Sequence, residues 1–416
     1  MDYDAIVAPR LRRLPPYVFA RVNEAKTRLR REGKDVLDFG MGNPTDPSPK
    51  PVVEKLVEAA RNPRNHRYSV SAGIPGLRRE IARYYQREWD VAIDPATEAI
   101  VTIGSKEGLS HLCLAILGAG DTVIVPTPAY PIHIYAAVFA GASTIGIPME
   151  SEETLLRRIV ELMSTLAPKP KVLLLSFPNN PTTKTVSPAF FQEIVAIARR
   201  TGLIVVHDFA YGRTVFDGYQ APSFLQAPGA KNVGVEFGTL SKNFNMAGWR
   251  VGYCVGNETV IRALAKIKSY YDYGIFQPVQ IASVIALREC RDFEARQAQV
   301  YQERRDVLCD GLTRIGWPVE KPRATMFVWA PIPEPYRALG SMGFAMKLLE
   351  EAHVAVSPGI GFGEDGDGFV RFSLIENRHR TLQAIRQIRK ALFPATTDPS
   401  AGPKRARRAA DRDKID

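Results

Sequence analysis

The 416-residue sequence has no long hydrophobic run and few cysteines. No stretch approaches the roughly 18 apolar residues that a membrane-spanning helix needs, so we expect no membrane partner. The acidic start, MDYD, is followed by no apolar segment, which argues against a secretory signal or a transit peptide. The four cysteines lie far apart without a CxxC pair, so neither a disulfide framework nor a zinc ribbon is indicated. This usage fits a reducing cytoplasm.

The sequence also lacks an organised excess of charge, although its formal net charge is +11. Most of the excess lies near the two ends, and no basic stripe interleaved with aromatic residues appears, so we expect no nucleic-acid partner. With 45% hydrophobic and 24% charged residues the chain is an ordinary folded protein. From about Thr396 it is rich in proline, alanine and charge, and we predict a disordered tail over 396–416.

Short runs rich in β-branched residues recur through the middle of the chain, with helical patterns between most of them. Most runs are apolar on both faces, which is typical of strands covered by helices on both sides. The pattern predicts an α/β fold with a mostly parallel sheet. The last two runs are separated only by a loop, so one of them can run antiparallel. The predicted strands are 99–104, 122–126, 143–147, 171–177, 203–208, 233–240 and 251–256.

The two flanks predict a second, smaller α+β domain made from both chain ends. Residues 18–32 have a helical period that stops at Gly33. From 291 onward a long helix precedes three strand patterns (ATMFVWAPI, AHVAVSPGI and DGFVRFSLI) and a final helix over 380–393. We therefore predict an N-terminal arm with part of the small domain (1–44), a large domain (45–290), a small domain (291–395) and the tail (396–416).

Chemistry-bearing residues follow several predicted strands, and ligands in open α/β sheets bind at the carboxyl ends of strands. The segment Gly104–Gly108 (GSKEG) opens a predicted helix at Leu109, where backbone N–H groups can face an anion. An ordinary helix cap explains this segment equally well. Tyr130 lies between two prolines and is suited to stack on a flat ring, although packing alone is an adequate explanation.

The candidate residues at the ends of the later predicted strands are stronger evidence for a functional site. Asn180 precedes a proline, where asparagine often caps its own backbone. Asp208 and Tyr211 follow an apolar strand, where a carboxylate is costly unless a cation pairs with it. Lys242 (TLSKNF) comes directly after another apolar strand between hydroxyl and amide residues. A lysine at this position is unfavourable for stability but suits the formation of a Schiff base, because a desolvated amine loses its proton and becomes nucleophilic.

Together these residues resemble the fold-type I, class I/II aminotransferases, which depend on pyridoxal 5'-phosphate (PLP). The resemblance spans roughly residues 10–393. At closer range, stretches such as DFGMGNP, TPAYPIHIY and VSPGIGFG are similar to the glutamate–pyruvate (alanine) transaminase branch. The resemblance to the class I/II family rests on these motifs: Asn180-Pro181-Thr182, Asp208-x-x-Tyr211, Ser241-Lys242-Asn243 with Arg250 eight residues after Lys242, and Arg371.

The resemblance implies that PLP is the cofactor and that Lys242 holds it as a Schiff base. Lys242 would then act as the acid–base group at the substrate Cα. Asp208 would pair with the pyridine nitrogen. His133 would contact Asp208 on the side away from the cofactor. A buried core histidine whose hydrogen bonds are satisfied is an equally good explanation. The other implied cofactor contacts are Tyr130 on the ring, Asn180 and Tyr211 at its phenolic oxygen, and Ser105, Lys106 (by its backbone N–H), Thr239, Ser241 and Arg250 at the phosphate.

The resemblance also implies the substrate contacts. Arg371 would bind the α-carboxylate in a bidentate manner, a planar task that suits arginine better than lysine. The backbone of Gly42 would cover the same carboxylate, and Asn180 and Tyr17 would contact the substrate. Taken by itself, Arg371 fits a surface position on a strand equally well.

A homodimer with shared active sites is the partner that the resemblance implies. Tyr68 (HRYSVSAG) matches a position that reaches the phosphate of the neighbouring subunit. Tyr273 falls in a stretch that lines the neighbour's pocket in relatives.

Two features depart from the family pattern, and a third resembles the glycine-rich motif of another class of protein. Many relatives have glycine where this chain has Thr183, so we expect the turn to differ there. No arginine is evident for a distal substrate carboxylate. The glycines of 359–363 (GIGFG) lack the helix and acid of a dinucleotide fingerprint, and we expect a flexible loop over the pocket.

The expected reaction is a ping-pong transfer of an amino group from an amino acid to a 2-oxo acid, with L-alanine and 2-oxoglutarate as the first choice. Aspartate, LL-diaminopimelate and methionine are alternative donors, and a carbon–sulfur β-lyase is an alternative reaction. A PLP-binding regulator without turnover is an alternative of another class.

Overall fold

The computed structural model describes residues 1–16 and 18–393, and within them the predicted α/β fold is confirmed. Tyr17 and the predicted tail over 396–416 lie outside the described residues. No helix in the described part of the chain is both long and apolar enough to cross a membrane.

A seven-stranded sheet forms the centre of the molecule, as the sequence predicts. Its spatial order is β2-β8-β7-β6-β5-β3-β4. Strand β8 runs antiparallel to both of its neighbours, and the other pairs are parallel. The strands are β2 (Ala99–Thr102), β3 (Thr122–Thr127), β4 (Ser143–Pro148), β5 (Val172–Ser176), β6 (Ile204–Asp208), β7 (Gly234–Thr239) and β8 (Gly252–Gly256).

Helices cover both faces of this sheet, which explains why its inner strands are apolar throughout. One apolar cluster, containing Leu173 and Val205, packs on one face, and a second, containing Leu174 and Val206, packs on the other. Neighbouring residues of a strand point to opposite faces, so both alternating sets are buried. The helices from residue 50 to residue 289 are α4 (Lys50–Ala60), α5 (Pro75–Trp89), α6 (Ser105–Ile116), α7 (Pro131–Phe139), α8 (Glu152–Thr165), α9 (Pro188–Thr201), α10 (Ala230–Val233), α11 (Glu258–Tyr271) and α12 (Gln277–Glu289).

Both chain ends contribute to a third apolar cluster, which surrounds small sheets. Strand β1 (Leu37–Asp38) pairs in parallel with β10 (Val354–Ala355), so the N-terminal segment joins the C-terminal part of the chain. Strands β11, β12 and β9 form an antiparallel sheet beside them. The remaining elements are α1 (Tyr3–Ile6), α2 (Pro9–Arg12), α3 (Phe19–Arg31), α13 (Arg291–Arg314), β9 (Phe327–Pro331), α14 (Gly340–Ala352), β11 (Ser357–Pro358), β12 (Phe369–Ser373) and α15 (Arg378–Leu392).

Two local expectations differ from the structure. Helix α6 begins at Ser105 rather than at Leu109, and the Glu107 carboxylate accepts a hydrogen bond from the Ile103 N–H at 2.7 Å. The GSKEG segment is therefore the first turn of the helix itself. Residues Gly359–Phe362 form a short 3-10 helix rather than an open loop, and the Phe362 carbonyl accepts from the Ala129 N–H at 2.8 Å.

Candidate active site

A cavity of about 480 Å³ lies at the carboxyl ends of the central strands, between the seven-stranded sheet and the segments contributed by both chain ends. This is the edge of the sheet at which the sequence places its candidate residues. Neither Tyr68 nor Tyr273 lines the cavity, and Tyr17 lies outside the described residues. The predicted site residues that line it are Gly42, Ser105, Lys106, Tyr130, His133, Asn180, Asp208, Tyr211, Thr239, Ser241, Lys242, Arg250 and Arg371.

Asp208 ends β6 and is buried at the floor of the cavity. His133 of α7, which is 2% exposed, places Nε2 at 2.8 Å from Asp208 Oδ2. The second carboxylate oxygen, Oδ1, is also buried and has no hydrogen-bond partner among the described residues. One oxygen is thus fixed by the protein, and the other is available to a donor that enters the cavity.

Lys242 follows β7 and reaches into the same cavity. Burial, helped by the positive charges of Arg371 and Arg250, lowers the pKa of the Lys242 amine from 10.5 to about 8, while the Asp208 carboxylate opposes this change. The ammonium Nζ donates a hydrogen bond to the Gly42 carbonyl at 2.6 Å. The neutral, nucleophilic amine therefore forms at a pH well below that at which an ordinary lysine loses its proton.

The first turn of α6 and the residues around β8 form a narrow cradle at one end of the cavity. Arg250 has a left-handed backbone (φ 56°), and its side chain crosses directly over Gly104. A Cβ added at Gly104 would lie 2.1 Å from Arg250 Nη2, and one at Gly252 would lie 2.5 Å from the Ser105 backbone N. Both close approaches therefore require glycine. The result is a helix N-terminus with a guanidinium beside it, which suits a phosphate.

Two hydroxyl groups stand at the side of this cradle. The hydroxyl Oγ1 of Thr239 donates to the Val251 carbonyl at 3.0 Å and lies 2.9 Å from Ser241 Oγ. The side chain of Lys106 is exposed and places Nζ 6.0 Å from the centre of the Tyr130 ring. The sequence-based expectation that Lys106 acts through its backbone N–H stays a prediction.

Tyr130 and Tyr211 frame the space above Asp208. The Tyr130 ring meets the His133 ring edge to face at 5.9 Å, and burial raises the pKa of its hydroxyl. Tyr211 is 5% exposed, and burial likewise raises its pKa. Both phenols therefore stay protonated at neutral pH and can donate hydrogen bonds.

Arg371 of β12 is buried rather than on the surface, so the alternative of a surface strand arginine is wrong. Its Nη1 donates to Asn180 Oδ1 at 2.6 Å, and Nη2 donates to the Gly40 carbonyl at 3.2 Å. The guanidinium also lies 4.1 Å from the centre of the Phe327 ring and 4.7 Å from that of Phe362. A planar cation held between two rings is oriented for a carboxylate in the cavity.

The turn after Asn180 places Thr183 in the backbone region that favours glycine. Thr183 adopts a left-handed backbone with φ 62°, and its N–H donates to the Asn179 carbonyl at 3.0 Å. That the turn differs from that of relatives with glycine stays a prediction. A β-branched residue in this region is strained, so the conformation has a cost in stability.

Tyr68 and Tyr273 stack on each other on the outer surface. Their ring centres lie 4.5 Å apart, and 84% of Tyr68 and 60% of Tyr273 are exposed. Tyr270, Tyr271 and Phe276, which lie near Tyr273 in the sequence, are exposed as well. We call these five residues the aromatic patch.

Sequence analysis did not identify Phe327 and Phe362 as neighbours of Arg371. The alternation of the ATMFVWAPI run indicates which face of β9 Phe327 occupies, but not which residue it meets. That contact depends on the register, in which Arg371 pairs with Trp329 and Phe372 with Val328. Phe362 lies in the glycine-rich stretch that we expected to be a loop, where no period is present to place it.

Comparisons with known proteins identify the family of the chain. A family model described as aminotransferase class I and II matches residues 34–386. The glutamate-pyruvate aminotransferase AlaC of Escherichia coli (strain K12) is 55% identical over 386 residues, which cover 93% of each chain. An LL-diaminopimelate aminotransferase of Moorella thermoacetica is 43% identical, with 92% of this chain and 98% of the relative covered.

Solved structures give the same result for the fold. The apo-BacF structure from Bacillus subtilis aligns with a TM-score of 0.89 at 34% identity, and covers 95% of this chain and 99% of that one. Family model, relatives and fold coincide over nearly the whole described chain. The protein therefore belongs to the class I and II aminotransferases.

Proposed function

We propose that this aminotransferase uses PLP to move an amino group from L-alanine to 2-oxoglutarate, giving pyruvate and L-glutamate. The observation that carries the proposal is one cavity that holds a lysine of lowered pKa, a buried carboxylate with one oxygen available and a buried arginine. The choice of substrates is supported by the similarity to the E. coli glutamate-pyruvate aminotransferase.

The cavity residues fit PLP. Asp208 Oδ1 is a buried acceptor that matches a protonated pyridine nitrogen. The glycine-dependent cradle of Ser105 and Arg250 matches a phosphate, and the Lys242 amine matches an aldehyde. When bound, PLP supplies an electron sink that lets a Cα–H bond of an amino acid break.

The residues of the chain then have separate tasks. Arg371, whose guanidinium lies against Phe327 and Phe362, would bind the α-carboxylate and orient the substrate. Lys242 would take the proton from Cα of the donor and, in the second half of the reaction, would return a proton to Cα of the new amino acid. A pKa near 8 suits both directions, because the same amine must accept and release a proton.

LL-Diaminopimelate is the second candidate donor, because the 43% identical relative is named as an aminotransferase for it. The discriminating experiment is a donor panel with 2-oxoglutarate as acceptor, comparing L-alanine, LL-diaminopimelate, L-aspartate and L-methionine. We expect the highest kcat/KM with L-alanine. A higher value for another donor would replace the substrate choice. Repeated turnovers that release pyruvate, ammonia and a thiol from L-cystathionine without a 2-oxo acid would indicate a β-lyase, since transamination of L-alanine releases only one pyruvate per active site under that condition. No conversion of any donor would favour the regulator.

We further propose a cytoplasmic homodimer in which the aromatic patch meets a second copy. Tyr68 is 84% exposed and lies outside the cavity of its own chain, so its predicted phosphate contact requires a partner. The four cysteines are all free and buried, which fits a reducing compartment.

Mixing Lys242→Ala chains with Tyr68→Phe chains tests shared sites, because one site of the mixed dimer then carries both changes and the other carries none. Activity above that of either parent supports sharing.

A further inference from the structure

The backbone of residues 40–42 connects the two side chains on which the proposed function depends. Arg371 Nη2 donates to the Gly40 carbonyl at 3.2 Å, and Lys242 Nζ donates to the Gly42 carbonyl at 2.6 Å. The hydroxyl of Ser357 also donates to the Gly40 carbonyl, at 2.7 Å. A shift of the Gly40 carbonyl would therefore change the orientation of the Arg371 side chain.

Asp38 holds this segment in place. Its Oδ1 accepts a hydrogen bond from the Gly40 N–H at 3.0 Å, directly after the pairing of β1 with β10 ends. A Cβ added at Gly40 would lie 3.3 Å from Asp38 Oδ1 and 3.6 Å from the Val356 carbonyl carbon. The carboxylate and the backbone are thus in close contact, and the direction of the Gly40 carbonyl depends on where the carboxylate lies.

Lys26 of α3 fixes the other oxygen of that carboxylate. Its Nζ lies 2.9 Å from Asp38 Oδ2, and the two side chains are 8% and 18% exposed. Arg30, one turn further along α3, approaches the same oxygen at 3.4 Å, but 52% of its side chain is exposed. Solvent screens the Arg30 contact much more than the Lys26 contact, so Lys26 is the principal partner of Asp38.

Helix α3 is also a wall of the active-site cavity. Phe19, Val22, Asn23 and Lys26 line it from the side opposite the central sheet. A continuous series of contacts therefore runs from α3 through Lys26, Asp38 and the Gly40 backbone to Arg371.

We propose that Lys26 is a positioning residue for the binding of substrate carboxylates, an inference that rests on the proposed function. By fixing Asp38, Lys26 keeps the Gly40 carbonyl where it orients Arg371 before a substrate arrives. An arginine that is already oriented loses less conformational freedom on binding, which raises affinity. Every substrate of the reaction has an α-carboxylate, so the effect applies to the amino acid and to the 2-oxo acid alike.

The test compares three variants with the wild-type holoenzyme. Lys26→Met keeps the aliphatic stem and removes the charge. We expect KM for both L-alanine and 2-oxoglutarate to rise about tenfold while kcat stays within about twofold, because a small displacement weakens binding of substrate and transition state equally. The dissociation constant of glutarate, an unreactive dicarboxylate, should rise by the same factor in a calorimetric titration.

Arg30→Met is the matched control, because it removes the exposed cation from the same carboxylate oxygen. We expect it to leave KM and the glutarate affinity unchanged. Lys26→Arg should keep most of the wild-type affinity for glutarate, because it retains a cation that reaches Asp38. If Lys26→Met does not fold, Lys26→Gln replaces it.

Unchanged KM and glutarate affinity in Lys26→Met, with only a lower melting temperature, would reduce the Lys26–Asp38 pair to a structural contact and overturn the inference. A wild-type enzyme that transfers no amino group would instead refute the proposed function. In that case the glutarate titration still decides the positioning role, because it requires no turnover.

Discussion

His133 Nε2 lies 2.8 Å from Asp208 Oδ2 and leaves Oδ1 of the same buried carboxylate without a partner among the described residues. A buried acceptor without a donor is destabilising, so its presence indicates a ligand that supplies the donor. Asp208 lines the cavity, and the histidine fixes the orientation of its carboxylate. The pair thus combines a carboxylate that the protein orients with a buried oxygen suited to the pyridine nitrogen of the proposed cofactor.

The first prediction follows from this pair. Asp208→Asn removes the negative charge from the cavity floor, and we expect kcat to fall by about 10²–10³-fold, the usual effect of losing one preorganised electrostatic contact. His133→Asn should have a smaller effect, because the Asp208 charge remains. Steady-state kinetics and the retention of PLP on dialysis are the measurements. Full activity of Asp208→Asn would contradict the assigned role.

The lowered pKa of Lys242 predicts a dependence of stability on pH in the cofactor-free protein. In the unfolded chain the amine titrates near 10.5, whereas in the folded chain it titrates at about 8, so between these values the unfolded state binds more protons. The contribution of this group to the free energy of unfolding should therefore rise with pH across this window, by up to about 3 kcal/mol. Buried tyrosines and cysteines with raised pKa values, such as Tyr211 and Cys113, contribute with the opposite sign.

Chemical denaturation at intervals from pH 8 to pH 10.5 measures this rise. The wild-type free energy of unfolding minus that of Lys242→Met should rise with pH across this range, because the other titrating groups are shared by both proteins. Replacing the exposed Lys34 by Met should leave the slope as in the wild type. Equal slopes for Lys242→Met and the wild type would show that the amine is not desolvated in the folded chain.

The cradle at the start of α6 gives a third prediction. Gly104 has φ 75°, and a side chain there would collide with the Arg250 guanidinium. We expect Gly104→Ala to displace Arg250 and weaken PLP binding, measured by titrating cofactor-free protein. Gly120 has φ 90° and open space around it, so Gly120→Ala is a control with similar backbone strain and no collision. Equal loss of cofactor affinity in both variants would mean that strain alone is responsible.

Thr183 leads to a prediction about stability. Its left-handed backbone costs about 1–2 kcal/mol, which exceeds the about 0.5–1 kcal/mol of chain entropy that a glycine loses on folding. Thr183→Gly should therefore raise the free energy of unfolding by up to about 1 kcal/mol, measured by denaturant titration. Thr183→Ala keeps a Cβ in the same conformation and should not reproduce the gain.

The sequence indicates the fold and most of the site because both depend on local patterns. Apolar runs such as 171–177 and 203–208 define strands, and residues that follow them, such as Asp208, must lie at one edge of a parallel sheet. Contacts between segments distant in sequence are different. The pairing of Lys26 with Asp38, and of Arg371 with Gly40, depends on how the two chain ends meet, and no periodicity encodes that.

The placement of Arg371 between two aromatic rings gives the last prediction. Arg371→Lys keeps the positive charge but loses the planar fork, so the carboxylate receives at most one of two charge-assisted hydrogen bonds. Such a bond contributes about 1.5–3 kcal/mol, so kcat/KM for L-alanine should fall about 10- to 150-fold. Phe362→Leu, which removes one of the rings and keeps the arginine, should cost less. An Arg371→Lys enzyme with wild-type kcat/KM would show that the α-carboxylate binds elsewhere in the cavity.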